Sequence, residues 1–233
     1  MSVLITLNKI RKGFQMPDGD TFWALKGIDM EIREGQLTIL RGRSGSGKTT
    51  LLNILGALDL PTDGSIQYKG EEISTWSEEK REQLRRYQMG FVFQSVALVP
   101  MMTAYENVEF ALRLAGYNGD HAKRAAECLH MVGLQSRMDH MPEEMSGGEQ
   151  QRVAIARAIC HKPNVIFADE PTAELDTNTG LMVMKIFKEL IAEEGITVVV
   201  STHDPGLMEL GDTVYEIEAG ELIGAEDKTE DGA

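Results

Sequence analysis

The chain has 233 residues, 42% of them hydrophobic and 6% aromatic, enough to bury a full core in one domain, or one domain with an inserted lobe, without disulfides or metals. Acidic residues number 37 against 23 basic ones, a formal net charge of −14 that sets the surface against phosphate backbones and anionic lipid, so nucleic-acid binding and direct lipid docking are excluded as readings. No apolar run approaches the ~18 residues that cross a bilayer, the opening residues lack a secretory pattern, and Cys128 and Cys160 stand outside any CxxC or Cys/His ligand spacing, so a cytoplasmic protein with two ordinary core thiols is expected.

Residues 3–7 and 24–32 alternate and are rich in branched side chains; both read as strands, with Pro17-Asp18-Gly19-Asp20 supplying turn chemistry between them. Residues 36–40 form a short apolar run that breaks into a glycine-rich loop, and 48–55 follow with helical spacing. Further strands are expected at 66–68 and 90–93. From 103 to 160 the period changes to 3.6 and predicts helices over 104–115, 120–132 and 147–159. Strand character returns at 165–168 and 196–200, on either side of a helix over 177–193. Residues 213–217 then pair with 221–223 across Ala219-Gly220 as a hairpin. The organisation is an α/β core interrupted by one helical insertion, and 226–233, charged and small, reads as a flexible acidic tail.

Gly42-Arg43-Ser44-Gly45-Ser46-Gly47-Lys48-Thr49 fits the phosphate-loop pattern GxxxxGK[ST], with the apolar strand before it and the helix after it that the pattern requires; Thr50 continues the same helix start. The glycines let backbone N–H groups turn inward around an anion, and the helix N-terminus adds a favourable dipole. Lys48 supplies a point charge for the β and γ phosphates, and Thr49 a hydroxyl for Mg²⁺. Alone, this loop implies a nucleoside triphosphatase and leaves kinases, GTPases, helicases and transport ATPases open.

Val165-Ile166-Phe167-Ala168 is a continuous apolar run, the mark of a strand buried on both faces of a parallel sheet, and it ends in Asp169-Glu170. Adjacent carboxylates at a strand end are expected on opposite sides, which assigns Asp169 to Mg²⁺ and Glu170 to the general base or water-orienting role. A second buried-type strand ends in Ser201-Thr202-His203-Asp204, placing His203 where an imidazole reaches a γ-phosphate. His121, His130, His140 and His161 read as structural.

Met145-Ser146-Gly147-Gly148-Glu149-Gln150-Gln151-Arg152 resembles the signature of the ATP-binding-cassette (ABC) family, LSGGQ followed by QR. In physical terms it is a second anion site, with Ser146 as N-cap and Gly147 and Gly148 exposing N–H groups at a helix start suited to a partner's nucleotide. The resemblance covers residues 3–224. Gly90-Phe91-Val92-Phe93-Gln94 is similar to the family's Q-loop, with Gln94 touching Mg²⁺ and the attacking water; Ala173-Glu174-Leu175-Asp176 is similar to its D-loop; His203 matches the switch histidine and Phe14 the aromatic that stacks on adenine.

The resemblance implies a phosphate-loop NTPase core with a mostly parallel sheet, an N-terminal antiparallel β subdomain and an inserted α-helical subdomain. Residues 1–94 and 161–225 are expected to form the core and 95–160 the helical part. It implies an ATPase that uses ATP and Mg²⁺ and forms a homodimer around two nucleotides, each held between Lys48 of one subunit and Ser146 to Glu149 of the other. It also implies docking on transmembrane permease subunits at the inner face of the membrane. Gln94-Ser95, Leu98-Val99-Pro100, residues 103–108 and Asn53-Ile54-Leu55-Gly56 resemble ATPases of lipoprotein-release, macrolide-export and antimicrobial-peptide-resistance systems. Three departures stand out: Met145 replaces leucine, Glu149 replaces glutamine beside an expected triphosphate, and Ala173-Glu174 replaces the subgroup's Gly-Asn. A DNA-repair or chromosome-organising ATPase is excluded by length and charge. A regulatory ABC module that moves no solute stays open as the alternative.

Overall fold

The alternating N-terminal residues build a long antiparallel hairpin in the computed structural model, which describes residues 2–228. Strands β1 (Val3–Gln15) and β2 (Thr21–Arg33) pair along their length, and β4 (Asp63–Tyr68) and β5 (Glu71–Glu72) complete a sheet of order β2-β1-β4-β5. Both hairpin strands outrun the expected 3–7 and 24–32. A register shift between Leu7 and Ile10, with Lys9 at φ 48°, breaks the period-2 pattern and hides the continuation of β1.

The second sheet has the order β10-β9-β3-β8-β7-β6, formed by β10 (Glu221–Asp227), β9 (Thr213–Glu218), β3 (Leu37–Arg41), β8 (Thr197–Thr202), β7 (Val165–Asp169) and β6 (Met89–Val92). All pairs are parallel except the terminal β9/β10 hairpin. Every residue of β8 is buried, as is β7 through Ala168, which explains their unbroken apolar sequences. The registers Leu40↔Ser201, Asp169↔Ser201 and Val92↔Ala168 bring the C-terminal ends of β3, β8, β7 and β6 to one edge. The loops that follow these strands therefore open together, where ligands bind in parallel α/β sheets.

Helix α1 (Lys48–Leu55) packs Leu51, Leu52, Ile54 and Leu55 into a core shared with the antiparallel sheet and with Phe167 and Val199. The other face of the parallel sheet meets α3 (Ala104–Ala115), α4 (His121–Met131), α5 (Gly147–Ile159) and α6 (Thr177–Glu194) in a second core through Val108, Leu129, Ile155 and Phe187. Bounds of these helices match the 3.6 period closely because caps mark them: Thr103 forms a capping box with Glu106 and Asp120 accepts from Lys123 N. Helix α2 (Glu78–Gln88) lies in a segment given no element above. It buries only Arg81 and Leu84, so it shows no apolar stripe, although Ser77 as N-cap, Glu78-Glu79 and Arg85-Arg86 are start and stop signals.

The acidic tail expected over 226–233 is not what the structure shows at its start. Glu226 and Asp227 belong to β10, where Asp227 pairs with Thr213 and its Oδ2 accepts from Arg33 Nη1 at 2.8 Å; residues 229–233 of that expected tail lie outside the described residues. Among the described residues no helix is long and apolar enough to cross a membrane.

Candidate nucleotide site

Strand β3 runs directly into the glycine-rich loop, and Gly47 ends it at φ 108° as the N-cap of α1. A Cβ there would lie 2.8 Å from Ala24 O, so the turn into the helix admits no side chain. No side chain caps α1, which leaves its first-turn N–H groups to the loop. Lys48 is 4% exposed; its Nζ donates to Gly42 O at 2.9 Å and Arg43 O at 3.2 Å and stands 3.3 Å from Glu170 Oε1. Within the loop Ser46 Oγ is buried without a partner among the described residues. A buried ammonium and an uncapped helix start make a cradle fitted to phosphate oxygens, while Ser46 lines a separate cavity with Glu216, Ile217 and Ala219.

The two carboxylates separate, though not by strand alternation. Asp169 is the last residue of β7; its Oδ2 accepts from Thr49 Oγ1 at 2.8 Å and its Oδ1 from Ser201 Oγ at 2.5 Å. Glu170 has left the strand at φ 45°, a left-handed conformation costing about 1–2 kcal/mol without glycine. Its N–H is held by Ser201 Oγ at 2.9 Å and Ser201 O at 3.2 Å. The turn delivers Glu170 Oε2 to 2.9 Å from His203 Nδ1, with Oε1 toward Lys48. Thr49 and Asp169 together offer a hydroxyl and one carboxylate. Such a sparse hard-oxygen set suits Mg²⁺ shared with substrate phosphates, and among the described residues no cluster of three His, Cys, Asp or Glu forms a closed cage.

Lys48, Thr49, Glu170 and His203 line a cleft of about 1050 Å³. Of the residues singled out from sequence, it gathers Phe14, Gly42, Arg43, Ser44, Gly45, Gly47, Lys48, Thr49, Thr50, Gln94, Glu170 and His203. Sequence reasoning missed Phe22, which faces Phe14 directly across the β1/β2 hairpin, and the Arg41–Glu216 ion pair joining β3 to β9. It also missed Ser201, whose hydroxyl holds both carboxylate residues. The register would have exposed Phe22, but no local pattern marks the other three.

Ser46 does not line this cleft, and Asp169 reaches it only through its bond with Thr49; Ser146, Gly147, Gly148, Glu149 and Asp176 also lie outside it. Ser146 caps α5 in a reciprocal capping box with Glu149, whose carboxylate is turned back onto Ser146 N and Oγ and onto Arg137 Nε. Hydrogen bonds from Ser146, then the charge of Arg137, hold Glu149 below the usual carboxylate range. Asp176 caps α6, accepting from Asn178 N and from Thr179 N and Oγ1, and the Thr179 bonds lower its pKa. Of the remaining histidines, His121 and His161 bond to Tyr117 O and Met89 O, and His140 to Arg137. Cys128 and Cys160 are both buried and free.

A phosphate loop at the edge of a parallel sheet, with a carboxylate pair and a histidine on the adjoining strand ends, defines a nucleotide-hydrolysing protein of the phosphate-loop class. The family model described as ABC transporter matches residues 25–173. The ABC transporter ATP-binding protein MJ0796 of Methanocaldococcus jannaschii is 42% identical over 224 residues, covering 94% of this chain and 95% of its own. A solved dimeric structure of MJ0796, in a post-hydrolysis state bound to ADP and Pi, superposes with a TM-score of 0.88 at 39% identity, covering 97% of this chain and 99% of that one. The lipoprotein-releasing system ATP-binding protein LolD of Syntrophus aciditrophicus is 40% identical, over 94% of this chain and 99% of the relative. The macrolide export ATP-binding/permease protein MacB of Syntrophobacter fumaroxidans is 42% identical over 93% of this chain and 31% of its own length. The chain belongs to the ABC transporter family, as an ATP-binding and ATP-hydrolysing domain.

Proposed function

We propose that two copies of the chain clasp two Mg-ATP head to tail and that hydrolysis opens and closes them against membrane permease subunits. The observation carrying this reading is the Glu170 carboxylate, set between Lys48 Nζ at 3.3 Å and His203 Nδ1 at 2.9 Å at the mouth of the phosphate loop. In this arrangement Glu170 stands where a γ-phosphate would meet Lys48. Nucleotide binding exchanges that carboxylate for phosphate oxygens on Lys48. Glu170 stays with His203, where it accepts the proton of a water attacking the γ-phosphorus as the bond to the bridging oxygen breaks. His203 and Gln94 orient that water, and Phe14 carries the adenine. Mg²⁺, held by Thr49, Asp169 and Gln94, would neutralise charge on the β and γ phosphates. Because Ser146 to Glu149 and Asp176 lie outside the cleft, their part in the site requires a second subunit.

The permease subunits have a groove to dock in. It is lined by Arg85, Phe91, Phe93, Phe110, Leu114 and Arg157, with Phe93, Phe110 and Leu114 exposed by 42%, 41% and 58%. Phe93 precedes Gln94 of the cleft, so a helix seated in the groove touches the segment that leads to the attacking water. Likeness to LolD and MacB supports export, or force transmission, acting on a lipoprotein, peptide or antibiotic.

In the decisive experiment, Glu170→Gln keeps ATP binding, abolishes phosphate release and accumulates as an ATP-dependent dimer in light scattering; a fully active variant overturns the role of Glu170. Copurification from intact membranes then identifies the permease. A reconstituted complex that hydrolyses ATP but neither extracts nor moves any solute favours the regulatory alternative.

A further inference from the structure

The start of α5 carries a charge at odds with its proposed task. Helix-terminal N–H groups that are to meet a triphosphate are weakened by a carboxylate in their own first turn, because like charges repel strongly in a contact stripped of water. Glu149 is such a carboxylate, and it is tied down on both oxygens. Its Oε2 accepts from Ser146 N at 2.9 Å and Ser146 Oγ at 3.0 Å, while Oε1 accepts from Arg137 Nε at 3.0 Å. Arg137 ends the 3-10 turn Gln135–Arg137, and its Nη1 contacts His140 Nε2 at 3.1 Å, which fixes the far edge of the guanidinium. The bonds that hold Glu149 below the usual carboxylate range keep it ionised, so protonation does not remove the charge. Side-chain exposures of 44% for Arg137 and 18% for Glu149 leave the pair at the surface beside the α5 start, where a second subunit would cover it.

We propose that Arg137 is a positioning residue for ATP-driven dimerisation. Its guanidinium cancels the Glu149 charge and keeps the carboxylate on the Ser146 side, leaving the Gly147 and Gly148 N–H groups clear for a triphosphate held by a second copy of the chain. The inference rests on the head-to-tail dimer proposed above and adds to it a residue outside the signature. Ser146 has one hydroxyl proton, which Glu149 now accepts. For Ser146 to donate it to a phosphate oxygen, the carboxylate has to release it. Arg137 and the Ser146 N–H keep the carboxylate satisfied when it does. Without Arg137, dimerisation buries an uncompensated anion next to the triphosphate.

The test is a double-mutant cycle in the Glu170→Gln background, reading ATP-dependent dimer by light scattering. With Glu149 present, Arg137→Ala should raise the ATP concentration for half-maximal dimer on the order of tenfold. With Glu149→Gln, adding Arg137→Ala should change it by less than about twofold. Binding of a fluorescent ATP analogue to the subunit's own phosphate loop should be unaltered, since Arg137 is not among the residues lining that cleft. An equal loss in both backgrounds means that Arg137 only braces the helix, and overturns the proposal, as does no loss at all. A Glu170→Gln protein that forms no ATP-dependent dimer overturns the head-to-tail reading and this inference together. A dimer that is indifferent to Arg137 overturns the inference alone.

Discussion

Removing one hydroxyl, in Ser201→Ala, tests the frame that holds both carboxylate residues. Ser201 is 0% exposed; it donates to Asp169 Oδ1 at 2.5 Å and accepts from Glu170 N at 2.9 Å. The first bond is charge-assisted and contributes about 1.5–3 kcal/mol; the second is ordinary and contributes about 1 kcal/mol. Glu170 N keeps Ser201 O at 3.2 Å, so that donor is not orphaned and most of the second contribution survives. The net loss expected is about 2–3 kcal/mol, which lowers the melting temperature of a domain this size by roughly 5–10 °C. Asp169 also loses the partner that aims Oδ2 at Thr49, and Glu170 loses one of two bonds holding its left-handed turn. Partners that orient a ligand or base in this way typically change activity by about 10–100-fold, so phosphate release should fall at least tenfold. Thermal unfolding without nucleotide and a phosphate-release assay measure the two effects. A melting temperature within about 1 °C of the parent together with unchanged turnover would refute the reasoning.

Gly90→Ala places a Cβ 2.4 Å from Ala158 O, a backbone atom of α5 that cannot swing aside. It should cost about 1–3 kcal/mol by separating α5 from β6, and a parental urea midpoint would count against that close approach. Burial pushes the Cys128 thiol up to about 11 and the Cys160 thiol up to about 12, so at pH 8 neither supplies an accessible thiolate. Ellman's reagent should react with no thiol in the native protein and with both in urea; rapid native labelling would show that the α4/α5 core opens.

The features legible in the chain were those whose chemistry depends on neighbours a few residues away. The phosphate loop needs a strand, closely spaced glycines and a helix start, all contiguous from Leu37 to Leu55. Asp169-Glu170 and His203 were marked by the buried strands before them, and α3 and α5 by a 3.6-residue apolar period. Helix α2 escaped because its amphipathicity is carried by arginine stems rather than by an apolar stripe. Even for Glu170 the expected reason was incomplete, since a φ of 45° and not strand alternation aims its side chain.

By itself the sequence determined the phosphate-loop motif and the family, because those depend on local backbone geometry and on residue types in fixed order. Only the tertiary structure decided that Ser201, 32 residues from Asp169, holds its carboxylate, and that Phe22 stands beside Phe14. It also decided that the Glu149 charge turns away onto Arg137 and not outward from the helix start. Each of those pairings is set by strand register or by where a capping turn points a side chain, and neither the register nor the direction of the turn is fixed until the segments pack.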